Sequence, residues 1–345
     1  MKQTFDLASL VRKNILSLKP YSSARDEFSG SEGIFLDANE NPFGTYNRYP
    51  DPRQKALKKA LSELKNVPQD QIFIGNGSDE VIDLIFRVFG NPGTDSVIIC
   101  PPTYGMYEVS ANINDIRVIA VPLRDDFQLD IDAILKRIHN DDSVKLIFVC
   151  SPNNPTGNTL RDIDTILDNF NGIVVIDEAY IDFCPESSHL GNIQRYPNLI
   201  VMQTFSKAWA LAGARVGIAY AQPEIIALMN KTKPPYNVSK LNQEAVLKAL
   251  SKEKTTNNRI ATILEQKKML IQELPKITFV KKVYPSDANF LLVEMENANA
   301  VYNQLVEKKV ITRNRSSQVK NCIRITVGSP KENRILLAEL KKMEK

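Results

Sequence analysis

The residues best suited to chemistry stand where apolar runs end. Thr204–Gly217, TFSKAWALAGARVG, follows the apolar run NLIVMQ. Lys207 lies just past the end expected for that strand, beside Ser206 and ahead of the lone Trp209, and Arg215 comes eight residues later. An amine that loses water and gains cationic neighbours has its pKa lowered and becomes available as a nucleophile. Arg215 can be that neighbour while holding a phosphate dianion. On its own, Lys207 reads equally well as a solvated loop charge, because most lysines are surface residues.

Three further strings share this placement. In GNGSDE, a strand is followed by glycines and by Ser78 and Asp79 in a helix's first turn. The third glycine of a dinucleotide fingerprint is replaced by Glu80, and the chain has no Walker A string. What remains is a helix N-terminus with free N–H groups, suited to a phosphate, or an ordinary N-cap. In SPNNPTG (151–157), two prolines and a glycine fix a turn and present Asn153 and Asn154. VVIDEAY (174–180) puts Asp177 at a strand end. It could be solvated, could resemble a Walker B acid without its phosphate loop, or could pair with a protonated ring nitrogen.

Bulk composition narrows the class. The chain has 345 residues, 43% hydrophobic and 24% charged, with a net charge of +4. That length supports a sizeable core and more than one domain. The charge is too weak for a nucleic-acid face. The first twenty residues lack the apolar core of a signal peptide, and no window approaches a membrane span. Cys100, Cys150, Cys184 and Cys322 are scattered, so reduced thiols in a cytoplasmic protein are expected. His139 and His189 are too few and too distant for a zinc site or a histidine triad, and no metal is expected.

The elements that must position these groups follow from periodicity. Residues 6–20 read as helix, IFLDANENPFG as a short strand and loop, and PRQKALKKALSELKN as an amphipathic helix. QIFIGNG, SVIICPP, RVIAVPL, KLIFVCSP, GIVVIDEAY, LIVMQTFSK and RVGIAY are short Val- and Ile-rich runs separated by helical segments near 104–112, 130–139 and 161–170. Such runs alternating with helices indicate an α/β fold, a mostly parallel sheet covered on both faces. The last two runs lie close enough to pair antiparallel. After residue 238 the texture changes to a long helical stretch broken near KEKTTNN, then two strands, a helix, a strand and a terminal helix. We therefore expect a large domain over 45–238, a small α+β domain over 239–345, and an N-terminal segment, 1–44, joining the small domain. Ligands of open α/β sheets sit beyond the strands' carboxyl ends, so the strings above should converge.

In order along the chain, FLDANENPFG, RYPDP, GNGSDE, PPTYGMY, SPNNPTG, VVIDEAY, TFSKAWALAGARVG and IRITVG resemble the class I/II, fold-type I pyridoxal-phosphate-dependent aminotransferases. The likeness runs from about residue 35 to 328. SPNNPTG with SKAWALAGARVG is specific for the superfamily, and DANENPFG with RYPDP resembles its histidinol-phosphate branch. The resemblance implies a seven-stranded, mostly parallel sheet plus a smaller α+β domain, with pyridoxal 5′-phosphate as cofactor. Lys207 would anchor the cofactor covalently and carry a proton. Asp177 would pair with the pyridinium nitrogen, and Asn153 and Tyr180 with the ring's phenolic oxygen. Tyr104 would stack on the ring. The Ser78 and Asp79 amides, Ser206 and Arg215 would hold the phosphate. Tyr49 would reach the neighbouring subunit's cofactor, implying a homodimer with shared sites. Arg324 and Arg313 would bind the anionic ends of substrates, and Tyr21 and Asn39 would line the substrate pocket. Arg315 is an extra positive charge with no role assigned. The segment between Arg313 and Arg324 is shorter than the family's.

The implied activity is ping-pong transfer of an amino group from L-histidinol phosphate to 2-oxoglutarate, between small molecules and with no nucleic-acid or membrane partner. Its rivals are an aminotransferase for aromatic or other amino acids, a phosphothreonine-decarboxylase-like lyase, and a cofactor-binding regulator. The last ranks low because the chain carries no helix-turn-helix extension.

Overall fold

The computed structural model describes residues 5–21 and 33–344. Seven strands form the larger sheet: β1 (Ile72–Gly75), β2 (Ser96–Ile99), β3 (Arg117–Ala120), β4 (Val144–Cys150), β5 (Ile173–Asp177), β6 (Leu199–Thr204) and β7 (Gly217–Tyr220). Their order is β1-β7-β6-β5-β4-β2-β3. The pairs from β6 to β3 are parallel, and β7 runs antiparallel to both neighbours. All residues of β5 and β6 are buried. This explains why their runs carry no polar alternation: helices cover both faces.

The strand period of two divides the core. Ile72 and Ile74 point to one face with Leu57, Ile98, Ile147 and Trp209. Phe73 points to the other with Ile82, Phe86, Val97 and Phe148. A second, antiparallel sheet contains β8 (Val280–Val283), β9 (Phe290–Met295), β10 (Arg313–Asn314) and β11 (Cys322–Thr326), in the order β10-β11-β9-β8. Its core packs against the helices Glu253–Glu273, Ala298–Glu307 and Pro330–Lys342. The last begins with a Ser329–Glu332 capping box and Pro330 in its first turn. Ile263, on the helix Glu253–Glu273, packs against both the first core and this one.

Three expectations need correction. Residues 6–20 form two short helices, Leu7–Leu10 and Lys13–Ser17, not one. Val11 is extended between them, and the Arg12 N–H donates to the Val88 carbonyl at 3.0 Å. This segment does not join the second sheet: Leu10, Val11 and Ile15 pack with Ile82, Ile85 and Phe89 on the first. The strand expected in IFLDANENPFG is absent from the described residues 33–50, where Ile34 and Leu36 are exposed with no strand beside them. The long helical stretch after residue 238 does break where expected, between Lys240–Leu250 and Glu253–Glu273.

Candidate active site

The carboxyl ends of the strands meet in a cavity of about 440 Å³, lined from the large sheet by Ser78, Asp79, Tyr104, Asp177, Tyr180, Ser206, Lys207 and Arg215. Arg313, Arg315 and Arg324 close it from the second sheet.

Lys207 is set by the turn after β6. Phe205 donates its N–H to Val216 at 3.1 Å, the Ser206 N–H reaches Thr204 Oγ1 at 3.1 Å, and the Ala210 N–H returns to the Lys207 carbonyl at 3.1 Å. Phe205 and Trp209 are both buried in the core, edge to face with ring centroids 5.5 Å apart, so the turn is pinned on either side of the lysine. The tryptophan is therefore a packing residue. The Lys207 amine lies 5.6 Å from the Tyr180 ring. Its surface opens to solvent in the cavity, while protein crowds it elsewhere. That crowding, then the positive charges of Arg324 and Arg215, lowers its pKa against the opposing pull of Asp177.

Asp177 closes the inner end. It is 3% exposed, and its carboxylate accepts from Tyr107 Oη at 2.7 Å and from the Ala179 N–H at 3.0 Å. Burial pushes its pKa up, with both hydrogen bonds and Lys207 pulling the other way. A carboxylate in this position favours a positive partner in the cavity. Tyr107 was not singled out from the sequence. It is fully buried, stacked on Phe148 at 4.9 Å, and burial keeps its phenol protonated as a donor. Tyr107→Phe is expected to cost about 1–3 kcal/mol of stability, the usual penalty for a buried polar group stripped of its partner. Urea denaturation reads this directly, and an unchanged midpoint would mean that Asp177 does not need the phenol. The adjacent Glu178 faces away, accepting from Ser188, Gln203 and the His189 N–H, so only the first acid of the pair serves the cavity.

The opposite end is a cradle. Gly77, at φ +81°, precedes the helix Ser78–Phe89, whose N-terminus faces the cavity with no side-chain cap. A Cβ on Gly77 would stand 2.7 Å from Arg215 Nη2, and one on Gly217 would stand 2.4 Å from the Ser78 nitrogen. The backbone leaves no room for a side chain at Gly217, and at Gly77 the positive φ disfavours one while Arg215 closes over it. Arg215 Nη2 pairs with Asp79 at 3.2 Å, and Tyr104 Oη donates to the other oxygen of Asp79 at 3.1 Å. N–H groups, a helix dipole and a guanidinium around a small void make a site for a phosphate-sized anion.

SPNNPTG brings a correction. Asn153 is 1% exposed and its side chain is used within the loop: Nδ2 donates to the Pro102 carbonyl at 2.9 Å and to Thr156 Oγ1 at 2.7 Å, and Oδ1 accepts from Thr103 at 3.1 Å. Asn154 is the amide that lines the cavity, where its Oδ1 accepts from Arg324 Nη1. The loop is also tied to the second sheet's side. Gly157, at φ +88°, lets Ser286 approach, and Asp287 accepts from the Thr159 N–H at 2.9 Å and hydroxyl at 2.6 Å.

The arginines share one face. Arg313 on β10 is the register partner of Arg324 on β11, and Arg315 follows one strand period later. The Arg324 guanidinium lies over the Phe290 ring at 5.2 Å. Burial lowers its pKa, and the same cause, with Arg324 and Arg313 beside it, brings Arg315 down to about 10.

Three expected residues stand elsewhere. Asn39 and Tyr49 line a separate cavity of about 420 Å³, where Tyr49 stacks on Tyr236 at 4.4 Å. Tyr21 is exposed beside a third cavity, with Pro52, Lys58 and Lys231. The described N-terminal stretch packs against the outer helices, which carries Tyr21 away from Lys207 within one chain.

Residues 30–340 match the family model described as aminotransferase class I and II. The chain is 52% identical to a histidinol-phosphate aminotransferase of Cytophaga hutchinsonii, over 98% of this chain and 99% of that one. It is 53% identical to a histidinol-phosphate aminotransferase of Parabacteroides distasonis, with the same coverage of 98% and 99%. Among solved structures, the histidinol-phosphate aminotransferase from Clostridium acetobutylicum superposes with a TM-score of 0.79 at 26% identity, over 87% of this chain and 91% of that one. With this match over nearly its whole length, and with the lysine, aspartate and anion cradle gathered at the strand ends, the chain belongs to the class I and II aminotransferases.

Proposed function

We propose that this chain transfers the amino group of L-histidinol phosphate to 2-oxoglutarate, giving imidazole acetol phosphate and L-glutamate, with pyridoxal 5′-phosphate as cofactor. The observation that carries this reading is the layout of one cavity: an anion cradle at one end, a buried carboxylate and a lysine at its base, and three arginines facing them. The names of the relatives at 52% and 53% identity support the same substrate.

The residues fit the cofactor. The cradle formed by the helix N-terminus, Arg215 and the tight backbone contact at Gly217 suits its phosphate, and the buried Asp177 suits a protonated ring nitrogen. When bound, pyridoxal phosphate supplies an electron-accepting ring for the bond broken at the substrate's Cα. The Ser78 and Asp79 N–H groups, Ser206 and Arg215 would hold its phosphate. Asp177 would keep the nitrogen protonated, its carboxylate fixed by Tyr107 and the Ala179 N–H. Asn154, in place of the expected Asn153, and Tyr180, which both line the cavity, would hydrogen-bond the phenolic oxygen. Tyr104, which lines the cavity, would form the wall against the ring. Lys207 Nζ would be the covalent anchor for the cofactor and, as a free amine, the base at the substrate's Cα. Its lowered pKa raises the fraction of free amine at neutral pH. Arg324 and Arg313 take the phosphate of one substrate and a carboxylate of the other.

We read the working form as a homodimer with shared sites. Tyr49 and Asn39 lie in a cavity apart from their own chain's Lys207, as suits residues that serve a second copy. Sedimentation of the holoenzyme as a single chain would overturn this. A cytoplasmic location is supported by four unpaired cysteines, three of them buried, and no helix among the described residues is long and apolar enough to cross a membrane.

The reading is tested by following glutamate formation from 2-oxoglutarate with L-histidinol phosphate, phenylalanine and phosphothreonine as donors. The expected result is that histidinol phosphate has the largest kcat/KM. A larger value for phenylalanine, or CO₂ release from phosphothreonine without an oxo-acid acceptor, would replace it.

A further inference from the structure

We infer that Arg315 is a specificity residue, the third guanidinium that makes the substrate site favour a dianionic phosphate over a monoanionic carboxylate. This rests on the reading of the site given above.

Among the described residues, the arginine end of the cavity holds more positive charge than its neighbours balance. The two acids in the lining are engaged elsewhere: Asp79 with Arg215 and Tyr104, and Asp177 with Tyr107 and Ala179. Among the described residues, no carboxylate pairs with Arg313, Arg315 or Arg324. Arg324 has the neutral Asn154 amide for one of its donors, and the Nε atoms of both Arg324 and Arg315 are buried without a partner. The strand and turn hold Arg315 in this position. Its N–H donates to the Cys322 carbonyl at 2.9 Å, and its carbonyl accepts from the Gln318 and Val319 N–H groups, both at 2.8 Å. A flexible surface arginine would turn away from two like charges, whereas this backbone keeps its side chain in the cavity. Burial and the two neighbouring arginines bring its pKa down to about 10, the mark of a cation held short of anions.

The chemistry of the ligand follows from this surplus. A carboxylate has two oxygens and one charge, which a single guanidinium satisfies bidentately. A phosphate monoester near neutral pH carries about −1.5 to −2 charges on three oxygens, enough to engage more than one guanidinium. Arg313 and Arg324 meet the needs shared by both substrates. Arg315 adds the charge and donors that only the phosphate can use.

The test compares wild-type holoenzyme with Arg315→Gln and Arg315→Lys, using L-histidinol phosphate, unphosphorylated L-histidinol, and inorganic phosphate as inhibitor. Loss of one charge-assisted contact should raise KM for histidinol phosphate about 10- to 100-fold in Arg315→Gln, with kcat changed far less. The ratio of kcat/KM between phosphorylated and unphosphorylated amine should fall by a similar factor. The inhibition constant of inorganic phosphate should rise in parallel, and the lysine variant should recover part of each effect. Equal loss for both amines, or an unchanged inhibition constant for phosphate, would overturn the assignment. If the wild type transfers amino groups only from other donors, the reading of the substrate fails. Phosphate inhibition in the three proteins still decides the role of Arg315.

Discussion

Lys207→Ala is expected to lower turnover by at least roughly 10⁴-fold, the upper end of what one general acid–base group contributes, and to abolish covalent retention of pyridoxal phosphate. The proposed roles of anchor and base would be lost together, and no other lysine lines the cavity. The fold should survive. The turn is pinned by Phe205 and Trp209 in the core, and the Lys207 side chain itself opens toward solvent. The measurements are steady-state turnover and borohydride trapping of the cofactor followed by denaturation. Substantial turnover, or trapped cofactor on another residue, would sink the assignment. The same geometry gives a pH dependence. Arg324 is the largest charge lowering the Lys207 pKa, after burial. Arg324→Gln should therefore raise that pKa, and the pH at which the amine becomes reactive should move upward.

Asp177→Asn should lower kcat by roughly 10²- to 10³-fold, the loss typical of removing one preorganised electrostatic partner. An amide is isosteric: its oxygen can still accept from the Ala179 N–H, and its NH2 then faces Tyr107 Oη, a hydroxyl that can accept as well as donate. It offers no charge to hold a ring nitrogen protonated. Without cofactor, the melting temperature of the variant should stay level or rise, because burial disfavours the carboxylate that is removed. Loss of activity without loss of stability is the expected pattern. A melting temperature that drops with the activity would mean that Asp177 acts mainly in the fold.

Particular residues explain how much of this was legible beforehand. The apolar runs marked all seven strands of the larger sheet. In β5 and β6 burial on both faces leaves no polar alternation to confuse with a helix, whereas the partly exposed edge strand β3 was marked by its short Val- and Ile-rich run alone. Their ends marked Ser78, Asp79, Tyr104, Asp177, Tyr180, Ser206, Lys207 and Arg215, which the structure gathers in one cavity. The choice between Asn153 and Asn154 was not legible. Adjacent amides in a turn differ in direction, and only the contacts with Pro102 and Thr103 reveal which one the loop uses. Tyr107 was hidden for a similar reason, since its partner lies seventy residues away and its own helix reads as ordinary packing. The strand β10 is two residues long and has no periodicity to detect. Ile34 and Leu36 have strand-like composition, and they lack a neighbouring strand to complete the pairing.

The isoleucine shared by two cores has a calorimetric consequence. The helix Glu253–Glu273 is 21 residues, about 31 Å of continuous rod. Ile260, Ile263 and Leu264 lean on the first core, while Ile263 and Leu270 belong to the second. Melting either part would strip packing from a rod on which the other depends. The two parts should therefore lose structure in one endotherm whose calorimetric and van't Hoff enthalpies agree.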